Sequence, residues 1–200
     1  MFALLPPATR AIILINVGAF LLQQIAGEAM EQYLALWPLA SGLFRPWQLI
    51  SYAFLHDPHN PAHIFLNMFA LFMFGRPLES FWGARRLATF FLVCVLAAAL
   101  TQLAVQAAPG AEASPVIGAS GGVFGVLLAF AWYFPRQRIL LLFPPIPMPA
   151  WLFVTLYGIL ELFLGVTGRQ EGVAHFAHLG GMLGAALCIL YWRARQTFSR

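Results

Sequence analysis

Val116-Ile117-Gly118-Ala119-Ser120-Gly121-Gly122-Val123-Phe124-Gly125 sets one hydroxyl among glycines at the start of an apolar run. In a soluble hydrolase, Gly-x-Ser-Gly marks a strained turn between a strand and a helix. Here an apolar segment follows Ser120 to about Phe134, and Ser114-Pro115 comes just before it. Proline suits the first turn of a helix, so Ser120 is expected in the opening turns of one. Free backbone N–H groups and the positive end of the helix dipole would there favour a developing negative charge. Glycines on either side admit close approach of backbone or substrate. Gly118, Ser120 and Gly122 would equally suit plain small-residue packing between membrane helices. The stretch thus reads either as a nucleophile or as a packing face, and the rest of the chain has to decide.

The composition fixes the solvent. Of 200 residues, 61% are hydrophobic and 9% charged, with a mean hydropathy of +0.79; soluble domains carry roughly 25% charged residues. This is the composition of an integral membrane protein. A bilayer core of about 30 Å takes about 20 apolar residues per helix, so the length allows roughly five to seven spans and no second soluble domain. No cleavable signal is expected after Leu4-Leu5-Pro6-Pro7, which leaves the first span as its own insertion signal. Cys94 and Cys188 fall inside apolar segments, where a thiol is a small hydrophobe, so neither a disulfide nor a metal site is expected.

Spans are expected at Ala11 to Ile25, Ala62 to Phe81, Leu87 to Gln106, Val116 to Phe134, Ala150 to Val166 and His175 to Trp192. The fold class is therefore an all-α bundle of six membrane helices forming a single domain over residues 1–200. The connection 27–61, with Trp37, Phe44, Trp47 and Phe54, is amphipathic and aromatic and is expected to lie in the interface. Phe143-Pro144-Pro145-Ile146-Pro147-Met148-Pro149 is too rich in proline for helix and reads as a loop. All 11 basic residues are arginine. Arg10, Arg76, Arg85, Arg86, Arg136, Arg138, Arg193, Arg195 and Arg200 flank alternate ends of the spans, which places both termini in the cytoplasm and argues against a nucleic-acid surface.

With this topology spans two, four and six run inward from the outer face. His63 and Asn67 open span two, Ser120 opens span four and His178 opens span six, all at about one depth. His63 and Asn67, four apart, share a helix face. A serine hydroxyl needs a base to become a nucleophile, and histidine is the usual one, which assigns that part to His178. Asn67, His63 and the Ser120 N–H are candidate oxyanion donors. Glu161 is the one acid well inside a span near that level, so a pair of Ser120 and His178 is expected rather than a triad. Phe124, one turn below Ser120, can stack on the His178 ring. Gly180 with Gly184, and Gly181 with Ala185, give span six two small-residue faces for packing on span four.

Gly118-x-Ser120-Gly121, Ala177-His178-x-x-Gly181 and His63-x-x-x-Asn67, in this order and on these helices, resemble the rhomboid family of intramembrane serine proteases. The resemblance covers nearly the whole chain. It implies a catalytic Ser120–His178 dyad, an oxyanion site at His63, Asn67 and Ser120, and supporting parts for Gly118, Phe124 and Gly181. It also implies cleavage of single-span transmembrane proteins near the outer face, with substrates entering between spans two and five, and no cofactor. The implied partners are those substrates and the lipid bilayer; no oligomeric state is implied. The compact six-span form resembles a bacterial inner-membrane member. Glu79 resembles a family acid that ties helix to loop. Phe124 stands where the family often has tyrosine, and Gln48 follows Trp47 where arginine is common. Either His56 or His59 could be the family's outer histidine.

Other polar residues have plainer readings. His175, His56 and His59 are expected to be solvated near the interface. Glu161 is either functional or hydrogen-bonded to a neighbouring loop. A non-catalytic membrane chaperone on the same fold is the alternative function; it would need neither Ser120 nor His178.

Overall fold

Pro6 and Pro7 start the first helix without any capping side chain of their own. In the computed structural model, which describes residues 5–110, 114–140, 145–168 and 173–198, the cap comes from elsewhere. Glu79 accepts the N–H groups of Ala8 and Thr9 and the Thr9 hydroxyl, each at 2.7 Å. A carboxylate on otherwise orphaned N–H groups at the positive end of a dipole is well placed to offset its burial. Glu79 therefore ties the second span to the first turn of α1, not to a loop.

Helix α1 runs Pro7–Leu34, with non-helical angles at Ala26. The expected span ends at that kink, but the chain beyond it continues as helix, so 27–34 is not loop as the composition had implied. The segment that follows holds a short helix α2 (Gln48–Ser51). Gln48 is fully buried and is its hub: Oε1 accepts from Arg45 N at 3.0 Å and Nε2 donates to the Leu43 carbonyl at 3.1 Å. Gln23 of α1 clamps the segment's far end by exchanging two 2.9 Å bonds with the His56 backbone.

The expected second span is folded as α3 (Pro61–Ala70), a π-helical turn (Leu71–Gly75) and α4 (Arg76–Trp82). Then come α5 (Ala84–Gln106), α6 (Ser120–Tyr133), α7 (Ala150–Thr167) and α8 (His175–Phe198). Between α6 and α7, Arg138–Leu140 (β1) pairs antiparallel with Pro147–Pro149 (β2), Ile139 opposite Met148. A proline-rich stretch read as loop thus closes a small hairpin; residues 141–144 lie outside the described residues.

Helices α1, α5, α7 and α8 are each long and apolar enough to cross a membrane, while α6 has only 14 residues. At about 1.5 Å per residue α6 reaches about 21 Å of a core about 30 Å thick. It begins at Ser120 because Val116 is held in a bridge to Leu36, and Gly118 turns the chain with φ 127°. The expected start at Val116 is therefore four residues early.

Glycines set the helix spacing. A Cβ at Gly121 would strike Ala98, and one at Gly125 would strike Cys94, both on α5. Gly181 of α8 lies against the backbone of Gly121, whereas Gly180 and Gly184 face Thr101 and Ala97 of α5. One small-residue face of α8 thus meets α6 as expected, and the other meets α5. Away from the site, Arg86 stacks over Trp192 at 4.1 Å, closing that end of the bundle with Trp82 and Phe90.

Candidate active site

The contact of Gly181 with Gly121 sets how near the side chains one turn away can come. His178 lies three residues before Gly181 and Ser120 one before Gly121, and His178 Nε2 stands 2.7 Å from Ser120 Oγ. Phe124 holds the ring flat from one face, with centroids 4.3 Å apart and an 8° interplanar angle. Its own edge packs on Tyr157 of α7.

The other ring nitrogen is also engaged. His178 Nδ1 is 2.8 Å from Glu161 Oε2, and His175 Nδ1 is 2.7 Å from the same oxygen. The reading of a serine and histidine without a nearby carboxylate is corrected here, as is that of His175 as a solvated side chain, since it is 5% exposed. Both departures have one cause: His175 and His178, three apart, share a face of α8, and α7 turns its one acid toward them. The signal was an acid in a span together with the His-x-x-His spacing, on the same α7 face as Phe153 and Tyr157.

Because a carboxylate oxygen can only accept, Nδ1 of His178 donates and its Nε2 is left to accept the serine proton. The three donor atoms of Glu161, His175 and His178 lie within 4.8 Å of one another. Their 2.7 and 2.8 Å separations are direct hydrogen bonds, shorter than the roughly 3.3 Å between ligands of a tetrahedral zinc. The arrangement fits proton handling better than a coordination shell.

His63 and Asn67 line the same cavity as Ser120. A Cβ at Gly118 would lie 2.8 Å from His63 Nε2 and 3.7 Å from Ser120 Oγ, so only glycine leaves room for that ring. His63 Nδ1 receives the Asp57 N–H at a long 3.5 Å, which leaves the ring hydrogen on Nε2. Asn67 donates one amide hydrogen to the His63 carbonyl at 2.9 Å and keeps the second.

The two candidates for an outer histidine separate clearly. His59 is exposed, while His56 is fully buried with its ring 4.9 Å from that of His63. Among the described residues neither ring nitrogen of His56 has a hydrogen-bond partner. Burial, with the neighbouring His63 imidazole second, lowers its pKa from 6.5 to about 3; the nearby Phe54 backbone opposes this without reaching hydrogen-bond geometry. The neutral ring is therefore the folded form. Above pH 6.5 both folded and unfolded chains carry it neutral, but on acidification only the unfolded chain takes the proton. Stability is thus full above that value and falls by about 1.4 kcal/mol per pH unit toward pH 3, about 2 kcal/mol by pH 5. Thermal unfolding in detergent at pH 7.5 and 5 checks this: His56→Phe is expected to lose markedly less stability on acidification than the parent. Equal losses would contradict it.

A cavity of about 1370 Å³ extends from Asp57 and Asn60 in the first loop down to Ser120, His178 and Glu161. It gives water a way to a helix end that lipid could not satisfy.

A family profile described as Rhomboid domain matches residues 43–195. This chain belongs to the rhomboid family. It is 31% identical over 180 residues to Rhomboid protein 1, mitochondrial, of Saccharomyces cerevisiae, covering 88% of this chain and 51% of that one. It is 26% identical over 195 residues to Rhomboid protease GlpG of Serratia proteamaculans, covering 95% and 64%. RHOMBOID-like protein 12, mitochondrial, of Arabidopsis thaliana is 28% identical over 192 residues, covering 88% and 55%. The chain spans about half to two thirds of the length of these relatives. It is a helical, multi-pass membrane protein.

Proposed function

We propose that this rhomboid is an intramembrane serine endopeptidase that cuts single-span transmembrane proteins near the outer membrane face. The observation that carries the reading is the 2.7 Å contact between Ser120 Oγ and His178 Nε2 at the edge of a cavity inside the bundle. In the proposed reaction Ser120 Oγ bonds to the scissile carbonyl carbon as its proton passes to His178 Nε2. The carbonyl electron pair moves onto oxygen, which faces His63 Nε2–H, the free Asn67 hydrogen and the Ser120 N–H. His178 then gives its proton to the leaving amine, and water, repeating the cycle, releases the acyl group.

The six-span topology with both ends cytoplasmic belongs to this reading and rests on the arginine distribution. Leu66, Ala70 and Phe74 of span two line the cavity opposite Phe153 and Tyr157 of α7, which supports entry of a substrate helix sideways between these two spans. Unwinding that helix in lipid costs hydrogen bonds, so helix-breaking and small residues near the cut are favoured. The likeness to bacterial GlpG favours a bacterial inner membrane; the relatives named mitochondrial make an organelle membrane the competing setting.

The test is reconstitution in liposomes with a labelled single-span substrate. The expected result is two fragments whose new ends map to the outer third of the substrate span. Substrate that co-purifies uncut would instead support a non-catalytic chaperone.

A further inference from the structure

The geometry points to Glu161 as a positioning residue that holds His178 in its working tautomer, with His175 in turn holding Glu161. This inference rests on the protease reading and extends the pair of Ser120 and His178 to four residues.

Glu161 Oε2 accepts from both Nδ1 atoms, 2.7 Å from His175 and 2.8 Å from His178. A neutral imidazole carries one ring proton, and fixing it on Nδ1 leaves the Nε2 lone pair of His178 aimed at Ser120. Without the acceptor, the proton is free to sit on Nε2, where it blocks the serine. The stacked Phe124 controls the plane of the ring, but an aromatic face cannot choose between tautomers. The carboxylate makes that choice.

His175 has no part at Ser120 that the structure shows. Its Nε2 is buried without a partner among the described residues, which leaves that atom's desolvation uncompensated. Its Nδ1 is committed to Glu161, and a second donor on Oε2 keeps the carboxylate from swinging off His178. Glu161 is only 4% exposed and is the one charged residue of α7. Such a group is expensive in a span and is retained where it does something. During the cycle no proton crosses to Glu161; it stays ionised and stabilises the imidazolium formed when Ser120 gives up its proton, as the carboxylate does in a soluble triad.

The alternative is a staple that merely fastens α7 to α8. Glu161→Gln separates the two, because the amide keeps the size and one acceptor oxygen but loses the charge and turns the other oxygen into a donor. Cleavage in liposomes is measured per mole of folded protein, counted from the monodisperse fraction eluted in detergent before reconstitution. The expected result is kcat lower by about 100-fold or more with KM within about twofold. His175→Gln, which leaves the Glu161–His178 bond in place, is expected to lower kcat by about 2- to 10-fold, well short of Glu161→Gln. A staple predicts the reverse: a lower thermal midpoint for Glu161→Gln with the parent's kcat per folded molecule, which would overturn the inference. Ser120→Ala and His178→Ala are run alongside. If both lose cleavage while Glu161→Gln matches the parent, the positioning role falls and the serine–histidine pair stands. If Ser120→Ala cleaves like the parent, both fall together.

Discussion

Ser120→Ala and His178→Ala are each expected to lower kcat by at least about 10⁴-fold in liposomes, and the double variant to be no worse than either alone. The size follows from what each group does. Without Oγ there is no atom to form the acyl bond; without the imbiding base Nε2 at 2.7 Å the hydroxyl keeps its proton and attacks feebly. Residues that act as one unit lose their joint contribution at the first deletion, so the losses do not add. Among the described residues the His178 site also has no substitute base. His63 lines the same cavity, but its Nδ1 accepts from the Asp57 N–H, which makes Nε2 a donor, and His175 is turned to Glu161. Initial rates on a labelled single-span substrate read the effect, and loss of only a fewfold in His178→Ala would remove the base from the account.

Gly181→Ala is expected to lower cleavage at least about 100-fold without touching any reacting atom. The added methyl would run into the Gly121 backbone, which has no rotamer to move aside, so α6 and α8 must part. Ser120 and His178 face each other across that same interface. A misplacement of about 1 Å between reacting groups costs about 100-fold, and overpacking of this kind costs about 1–3 kcal/mol of stability besides. Gly18→Ala is the control, since a Cβ there meets nothing within 4 Å. Cleavage rates and thermal midpoints of the two variants should diverge sharply; equal rates would mean that the bundle relaxes around the methyl.

Much of the architecture was legible because lipid enforces simple rules. Apolar length located the main helices, and the kink at Ala26 falls where the first apolar segment ends. Helical spacing placed Phe124 one turn from Ser120, and the structure puts that ring on His178. What the sequence withheld was partners rather than elements. Periodicity says which face a residue occupies but not which helix stands opposite, so Gly180 and Gly184 were given to α6 when they meet α5. For the same reason the meeting of Glu161 with two histidines went unread, and Glu79 was assigned a loop instead of the start of α1. Hydropathy is blind to backbone winding, which hid the π-helical turn at Leu71–Gly75 and the pairing of Ile139 with Met148. It is equally blind to helices that continue past the apolar zone, as α1 does to Leu34.

The central claim is that a nucleophilic alcohol, activated by its imidazole neighbour, stands in a wet recess of the bundle. A small fluorophosphonate, followed by peptide mass mapping of the modified protein, tests it most directly. One adduct on Ser120, formed in the parent and lost in His178→Ala, is the predicted result. An unmodified Ser120 in folded protein, or equal modification when His178 is absent, would contradict it.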